Sequence, residues 1–355
     1  MYHRNVREGD PRSKTKEKTM DKEIRKIIDR AYEGLELTKA ECIALLSVGD
    51  ASEEAFAIRG AASGIIRARN GNAGYLFGQI GIACAPCEAN CSFCSFAEDH
   101  TRFGTMHMDA ETVIQKTKEF TYNGDLYGLY LMAMHKYDLE HFLESVKLAG
   151  QNLNGSTLMF SNVGDTSCED FVEMKKAGIS GVYHCWRLGE GTDTRIDPEQ
   201  RKQTMLNAKK AGLEVLDALE PIAPEHTPEQ MAEHILFSRE LETFQCGAMK
   251  RISVPGTPFE GKPEISPFTL SKIIAAQVLT FASMKRMPIM AVHEPNIMGY
   301  MAGANMVCAE SGVNPRDIAS DTKENRGWDI GRCRELLKES GYEHIMLGNG
   351  TKIEI

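Results

Sequence analysis

From about Tyr75 onward the chain keeps switching between two hydrophobic periods, and this alternation restricts its fold more than any other feature. Short apolar runs read as strands at Leu76–Ala83, Leu126–Met134, Thr157–Ser161, Gly181–Trp186, Glu214–Ile222, Met249–Val254, Pro288–Val292 and Asn305–Cys308. Amphipathic stretches between them read as helices: Asp109–Tyr122, Leu139–Ala149, Cys168–Ala177, Pro198–Ala211, Pro228–Leu241, Pro267–Met284 and Ile330–Ser340. Strands joined through helices are parallel, because a parallel neighbour is reached only by a long crossover. Eight such strands over roughly 240 residues match the size of a (β/α)8 TIM-type barrel, an α/β fold whose chemistry sits at the C-terminal strand ends. An open doubly wound sheet is the alternative. No GxGxxG follows the first strand, which counts against a dinucleotide-binding version of it.

Ahead of the barrel, residues 20–70 read as an N-terminal helical extension. Ile24, Ile27, Ile28 and Ala31 recur at helical spacing, and Thr38-Lys-Ala-Glu41 has the form of a capping box. Residues 1–19 read as a disordered tail or an upstream start, with Met20 as an alternative beginning. Residues 71–346 form the barrel and 347–355 a C-terminal tail. The first twenty residues are polar and lack the apolar core of a secretory signal. No run of ~18 apolar residues suggests a membrane span. A net charge of −9 and an aromatic content of 7% give no basic, stacking surface for nucleic acid. Ten cysteines without an export signal point to a reducing, cytoplasmic setting, and their clustering to a metal site rather than a disulfide framework.

The densest chemistry lies in Cys84-Ala-Pro-Cys87-Glu-Ala-Asn-Cys91-Ser-Phe-Cys94, which contains a C-x3-C-x2-C run. The run follows the first expected strand and so stands at the end of the barrel where active sites lie. Such spacings let one tight loop aim three thiolates at three irons of a cubane, and thiolates are soft, charged donors suited to iron–sulfur clusters. A three-ligand set leaves the fourth iron open for chemistry. Two plainer readings stand beside this one. Structural zinc needs four ligands, usually in two pairs ~15 residues apart, whereas Cys84/Cys87 and Cys91/Cys94 are nearly adjacent. A four-cysteine cluster including Cys84 would make the chain a non-catalytic electron-transfer or cluster-carrier protein, although the ferredoxin run C-x2-C-x2-C-x3-C-P is not reproduced.

At these residues the chain resembles the radical S-adenosylmethionine (radical SAM) superfamily, whose signature is CxxxCxxC with an aromatic residue before the last cysteine; Phe93 occupies that place. The resemblance implies that Cys87, Cys91 and Cys94 hold a [4Fe–4S] cluster and that the amino and carboxylate groups of SAM chelate the open iron. It implies that an electron, from a flavodoxin- or ferredoxin-type donor, cleaves SAM to methionine and a 5′-deoxyadenosyl radical. That radical takes hydrogen from a small-molecule substrate, while the protein supplies aim and exclusion of water.

The resemblance runs from about residue 20 to 345 and is nearest to the branch of biotin synthase, an [FeFe]-hydrogenase maturase and methylornithine synthase. Gly181-Val-Tyr-His-Cys-Trp-Arg-Leu-Gly-Glu190, Glu220-Pro-Ile-Ala-Pro-Glu-His-Thr227, Val254-Pro-Gly-Thr-Pro258 and Met301-Ala-Gly-Ala-Asn305 carry it in the right order. It implies cofactor or vitamin biosynthesis, with sulfur insertion or a mutase or lyase reaction as the chemistry. Ser161 and Asn162 would reach the SAM carboxylate or ribose. Arg187 and Glu190 would pair and match the charged ends of the methionine moiety, against the plainer reading of an ordinary salt bridge. Glu220 would bind the ribose or substrate, or simply close a turn. Met132-Ala-Met-His135 departs from the usual Gly-Gly-Glu of the second strand end, so His135 takes no ligand role. The inner-strand cysteines that hold the sulfur-donating cluster of biotin synthase are missing at the matching positions. A different auxiliary iron–sulfur cluster, drawing on Cys84 and on Cys185 or Cys308, stays open beside the reading of these residues as buried filler.

Overall fold

The computed structural model describes residues 20–355; the tail expected at 1–19 lies outside the described residues. Helices α1 (Lys22–Tyr32), α2 (Lys39–Ser47) and α3 (Glu53–Asn70) come first. Ile24, Ile27, Ile28 and Ala31 form the buried face of α1, and Thr38 and Glu41 complete the capping box of α2. These helices cover α9 (Pro267–Phe281), whose residues from Leu270 to Phe281 are all buried. A helix apolar on every side needs partners on every side, and α9 has them: the barrel within and the N-terminal helices without.

Eight parallel strands close the barrel: β1 (Ala73–Gly81), β2 (Gly128–Met132), β3 (Leu158–Asn162), β4 (Ile179–Tyr183), β5 in two pieces (Glu214–Leu216 and Leu219–Ile222), β6 (Gln245–Lys250), β7 (Ile289–His293) and β8 (Met306–Gly312). β8 returns to β1 in register from Tyr75↔Met306 to Gly81↔Gly312, so the barrel has no free edge. The crossovers are α4 (Ala110–Thr121), α5 (Leu139–Asn152), α6 (Cys168–Ala177), α7 (Pro198–Lys210), α8 (Pro228–Glu240), α9, α10 (Ile297–Met301) and, after β8, α11 (Ile330–Glu339). Proline opens α7, α8 and α9, where its missing N–H costs nothing, and a side-chain oxygen caps each. Inward-facing Phe77, Tyr130, Phe160, Leu216 and Met306 fill the lower barrel, and a cavity bordered by Tyr130 and Met306 lies above them.

Several sequence expectations shift. β6 runs Gln245–Lys250 rather than Met249–Val254. Its weakly apolar Cys246-Gly-Ala248 is chosen for close packing, with the Gln277 amide donating to the Gly247 carbonyl at 3.0 Å, while Ile252 and Val254 fall in the following loop. β5 breaks at Asp217, whose side chain turns outward to Ser238 (2.5 Å) and to its neighbour's N–H (2.8 Å), with His234 3.5 Å away. Residues 347–355, read as a tail, turn back: β9 (His344–Met346) lies beside the start of β1, and β10 (Lys352–Glu354) pairs antiparallel with it.

At the closure, Gly81 lies against the backbone of Val313, and any Cβ there would overlap the Val313 carbonyl. Gly81→Ala is therefore expected to lower the unfolding free energy by about 1–3 kcal/mol in denaturant titration. The control Gly49→Ala, whose Cβ would meet nothing within 4 Å, is expected to change it by less than about 0.5 kcal/mol.

Candidate functional site

β1 delivers the chain straight into the cysteine loop. A two-residue pairing of Ala83–Cys84 with Met106–His107 closes its base. Three other strand-end loops hold it by main-chain hydrogen bonds. After β4, Ser92 donates to Asp193 (2.8 Å) and Arg195 to Ala89 (2.8 Å); after β6, Phe259 donates to Ser92 (3.2 Å); after β8, Pro315 accepts from Ser95 (2.9 Å). Within the loop, Cys87 N–H donates to the Phe96 carbonyl at 2.8 Å and Cys94 N–H to Cys91 at 3.0 Å.

So held, Cys87, Cys91 and Cys94 face a cavity of about 230 Å³ at the C-terminal mouth, with Phe93 beside them. Burial pushes all three thiols up, Cys91 to about 11, and neighbouring cysteine charge opposes ionisation of Cys91 and Cys94 further. Three thiolates here repel one another unless a cationic centre compensates them. Among the described residues no three His, Cys, Asp or Glu side chains surround a single point, as one metal ion requires. A cubane asks for a different arrangement, one thiolate on each of three irons. The donor set fits such a cluster.

Across the cavity the charged side chains are paired. Arg187 Nε meets Glu220 Oε1 at 2.8 Å, and Tyr183 donates to the other Glu220 oxygen at 2.8 Å. This corrects the expected Arg187–Glu190 pair. Glu190 accepts the main-chain N–H of Arg187 (3.0 Å) and the Thr194 hydroxyl (2.9 Å), and lies 3.5 Å from Arg201. A carboxylate three residues on in a tight turn reaches the backbone N–H, while the longer guanidinium extends to the next strand. Glu220 is thus a side chain of the cavity wall rather than a turn closer.

Asn162 lines the cavity and Ser161 does not, because successive strand residues point to opposite faces; Ser161 Oγ is buried outside the barrel wall with no hydrogen-bond partner among the described residues. Cys84 is buried beside Met132, Met134 and Val313, with Sγ 3.6 Å from the Gly104 carbonyl, and lines a separate outer pocket. His226 accepts from Ala223 N–H at 3.0 Å as a turn residue, and Glu225 pairs with Arg251. His135 does line the cavity.

Sequence reasoning missed the opposite wall. Asn162 donates to Gln79 (2.9 Å), and Gln79 (3.3 Å), Asn314 (3.0 Å) and Arg316 (3.4 Å) all donate to Glu310 Oε1. Arg316 also meets Glu294 at 2.6 Å. Glu310 was out of view because the eighth strand was read to end at Cys308, whereas β8 continues to Gly312. Polar Gln79 within an apolar strand was the available signal. Behind the loop, Arg201 and His184 meet Asp165 at 3.4 and 3.0 Å.

The structure thus joins a closed parallel barrel to three thiols of one CxxxCxxC loop at its mouth, the arrangement that the resemblance to the radical SAM superfamily implies. The chain is 23% identical to biotin synthase of Persephonella marina over 278 residues, 72% of this chain and 77% of that one. A shorter match to biotin synthase of Maridesulfovibrio salexigens is 32% identical over 124 residues, 33% of this chain and 37% of that one. Among solved structures, methylornithine synthase superposes with a TM-score of 0.74 at 19% identity, covering 89% of this chain and 96% of its own. The [FeFe]-hydrogenase maturase HydG of Carboxydothermus hydrogenoformans superposes with 0.73 at 14% identity, covering 90% and 79%. No family model matches the chain. In sequence the chain is similar to biotin synthases, and in fold to methylornithine synthase and HydG.

Two predictions follow from the geometry of the walls. A double-mutant cycle of Arg187→Met and Glu220→Gln, read by thermal and denaturant unfolding, is expected to show a coupling of about 1–3 kcal/mol. The second concerns pH. Burial would raise the Asp165 carboxyl, but its contact with His184 and the Arg201 charge more than offset this and hold it well below the usual range. A depressed folded value means stability present above the unfolded pKa of about 4 and lost as pH falls below it. Stability measured between neutral and acid pH is expected to fall less steeply in Asp165→Asn than in the wild type.

Proposed function

We propose that this chain is a radical SAM enzyme acting on a small molecule inside the barrel, with Cys87, Cys91 and Cys94 holding a [4Fe–4S] cluster. The carrying observation is that these three thiols, from one clamped loop, face a cavity whose charged side chains are already paired. When bound, the cluster and SAM supply a carbon-centred radical by one-electron cleavage of the sulfonium bond. The chain's own residues do the rest. Arg187, fixed by Glu220, is placed to take a carboxylate, since a guanidinium offers several donors in a rigid fork. Asn162, Glu190 and Phe93 line or support the same space and orient SAM. Ser161, facing outward, supports β3 from behind. The aromatic floor of Tyr130, Phe77 and Phe160 closes the lower barrel to water, as a reactive radical requires.

The electron comes from a flavodoxin- or ferredoxin-type donor in a reducing cytoplasm. The reaction class within this reading is a rearrangement or cleavage in cofactor biosynthesis. Sulfur insertion is the second reading, favoured by one observation: Cys185 and Cys308 both line the cavity.

Anaerobic reconstitution is expected to load about four irons and four sulfides per chain with broad charge-transfer absorption. A Cys87/Cys91/Cys94 triple serine variant is expected to lose them, and dithionite with SAM to yield 5′-deoxyadenosine from the wild type alone. A chain that binds zinc and no iron, or a cluster that SAM leaves spectroscopically unchanged, would sink this reading.

A further inference from the structure

Two thiols of the cavity are not used by the cysteine loop. Cys185, just after β4, is 1% exposed, whereas Cys308, in the middle of β8, is mostly buried but keeps part of its surface open. Inward positions of β8 run Met306, Cys308, Glu310, so Cys308 lies between the apolar floor and the polar wall. Its one hydrogen bond among the described residues is to the Ala309 carbonyl at 3.4 Å. Burial, and after it the charge of Glu310, push this thiol well above its ordinary pKa, so it carries its hydrogen at neutral pH. Neighbouring Tyr130 donates to Gln245 at 2.6 Å and is committed to the floor.

Resting on the radical reading above, we propose that Cys308 is a further catalytic residue, the hydrogen-atom donor that quenches carbon radicals formed in this cavity. A thiol S–H bond is weaker than an aliphatic C–H bond, so the transfer runs downhill. In the step the S–H bond breaks and a C–H bond forms. The carbon leaves closed-shell, and the sulfur is left as a thiyl radical one electron short. One electron from the same class of low-potential one-electron reductant, with one proton from solvent, restores the thiol. Cys185, though it borders the same cavity, is 1% exposed and offers a substrate far less surface from which to donate.

The test needs no knowledge of the substrate. The cluster-loaded enzyme is reduced with dithionite in D2O with SAM alone, and the 5′-deoxyadenosine is weighed by mass spectrometry. Protein C–H groups do not exchange with solvent and thiols do, so deuterium at the 5′ carbon reports donation from an exchangeable group. Wild type is expected to give chiefly singly deuterated product. Cys308→Ser preserves volume but has an O–H bond too strong to donate, and is expected to lower the deuterated fraction at least about tenfold, while Cys185→Ser stays within about twofold. Unlabelled product from the wild type, or undiminished label in Cys308→Ser, overturns the proposal. Absence of 5′-deoxyadenosine from every variant defeats the radical reading itself.

Two readouts are independent of turnover. On the folded, cluster-free chain, methylmercury followed by peptide mapping is expected to modify Cys308 at least about tenfold faster than Cys185. Equal protection removes the required access and overturns the assignment. Iron retained by the Cys87/Cys91/Cys94 triple serine variant and lost on adding Cys308→Ser also overturns it, because Cys308 would then be a metal ligand.

Discussion

Everything else in the molecule depends on the contact where β1 meets β8. Gly81 and Gly312 pair there, and the Val313 backbone fills the space where a side chain would stand. Without that approach the sheet would stay open, with unpaired backbone along two edges. With it the barrel closes and β1 enters the cysteine loop at a fixed height above the floor. The loop is then held at its other points by strand-end loops whose positions follow from the same closure.

The second constraint is electrostatic. The cavity wall carries Arg187, Arg201, Lys250, Arg251 and Arg316, a heavy charge for a space with an aromatic floor. Each meets carboxylate: Glu220, Asp165 with Glu190, Glu264, Glu225, and Glu294 with Glu310. Unpaired, such charges would cost several kcal/mol apiece to bury. Paired, they fix side-chain positions across loops that share no secondary structure. The clamping of the long β6–α9 loop by Lys250 and Arg251 is of this kind: Arg251 also donates to the Pro263 carbonyl at 3.0 Å, and Phe259 of the same loop reaches back to Ser92.

Element type was largely legible in the chain. α6 matches its expected span end to end, because an N-cap serine and a C-terminal Gly178 with positive φ bracket it. β6 was not, because Cys246-Gly-Ala248 is too weakly apolar to stand out, and its small side chains make sense only against α9 and β7. The thiol loop was legible because its three cysteines lie close together in one stretch of chain. Glu310, Arg316 and Gln79 were not, because they come together only when β1 and β8 become neighbours across more than two hundred residues of chain.

By itself, then, the amino-acid order determined the local matters: the alternation of strand and helix, the caps and prolines that bound the helices, and the three thiols at a spacing one turn can present. Tertiary structure alone decided partnership. Arg187 turned its side chain to Glu220 instead of Glu190, Asn162 faced inward while Ser161 faced out, and Cys84, packed in one cluster with Cys87 and Cys94, lined a separate pocket. Side-chain reach and strand alternation act within a few residues and can be read along the chain. Which carboxylate a guanidinium finds depends on where the next strand lies, and closure of the barrel sets that.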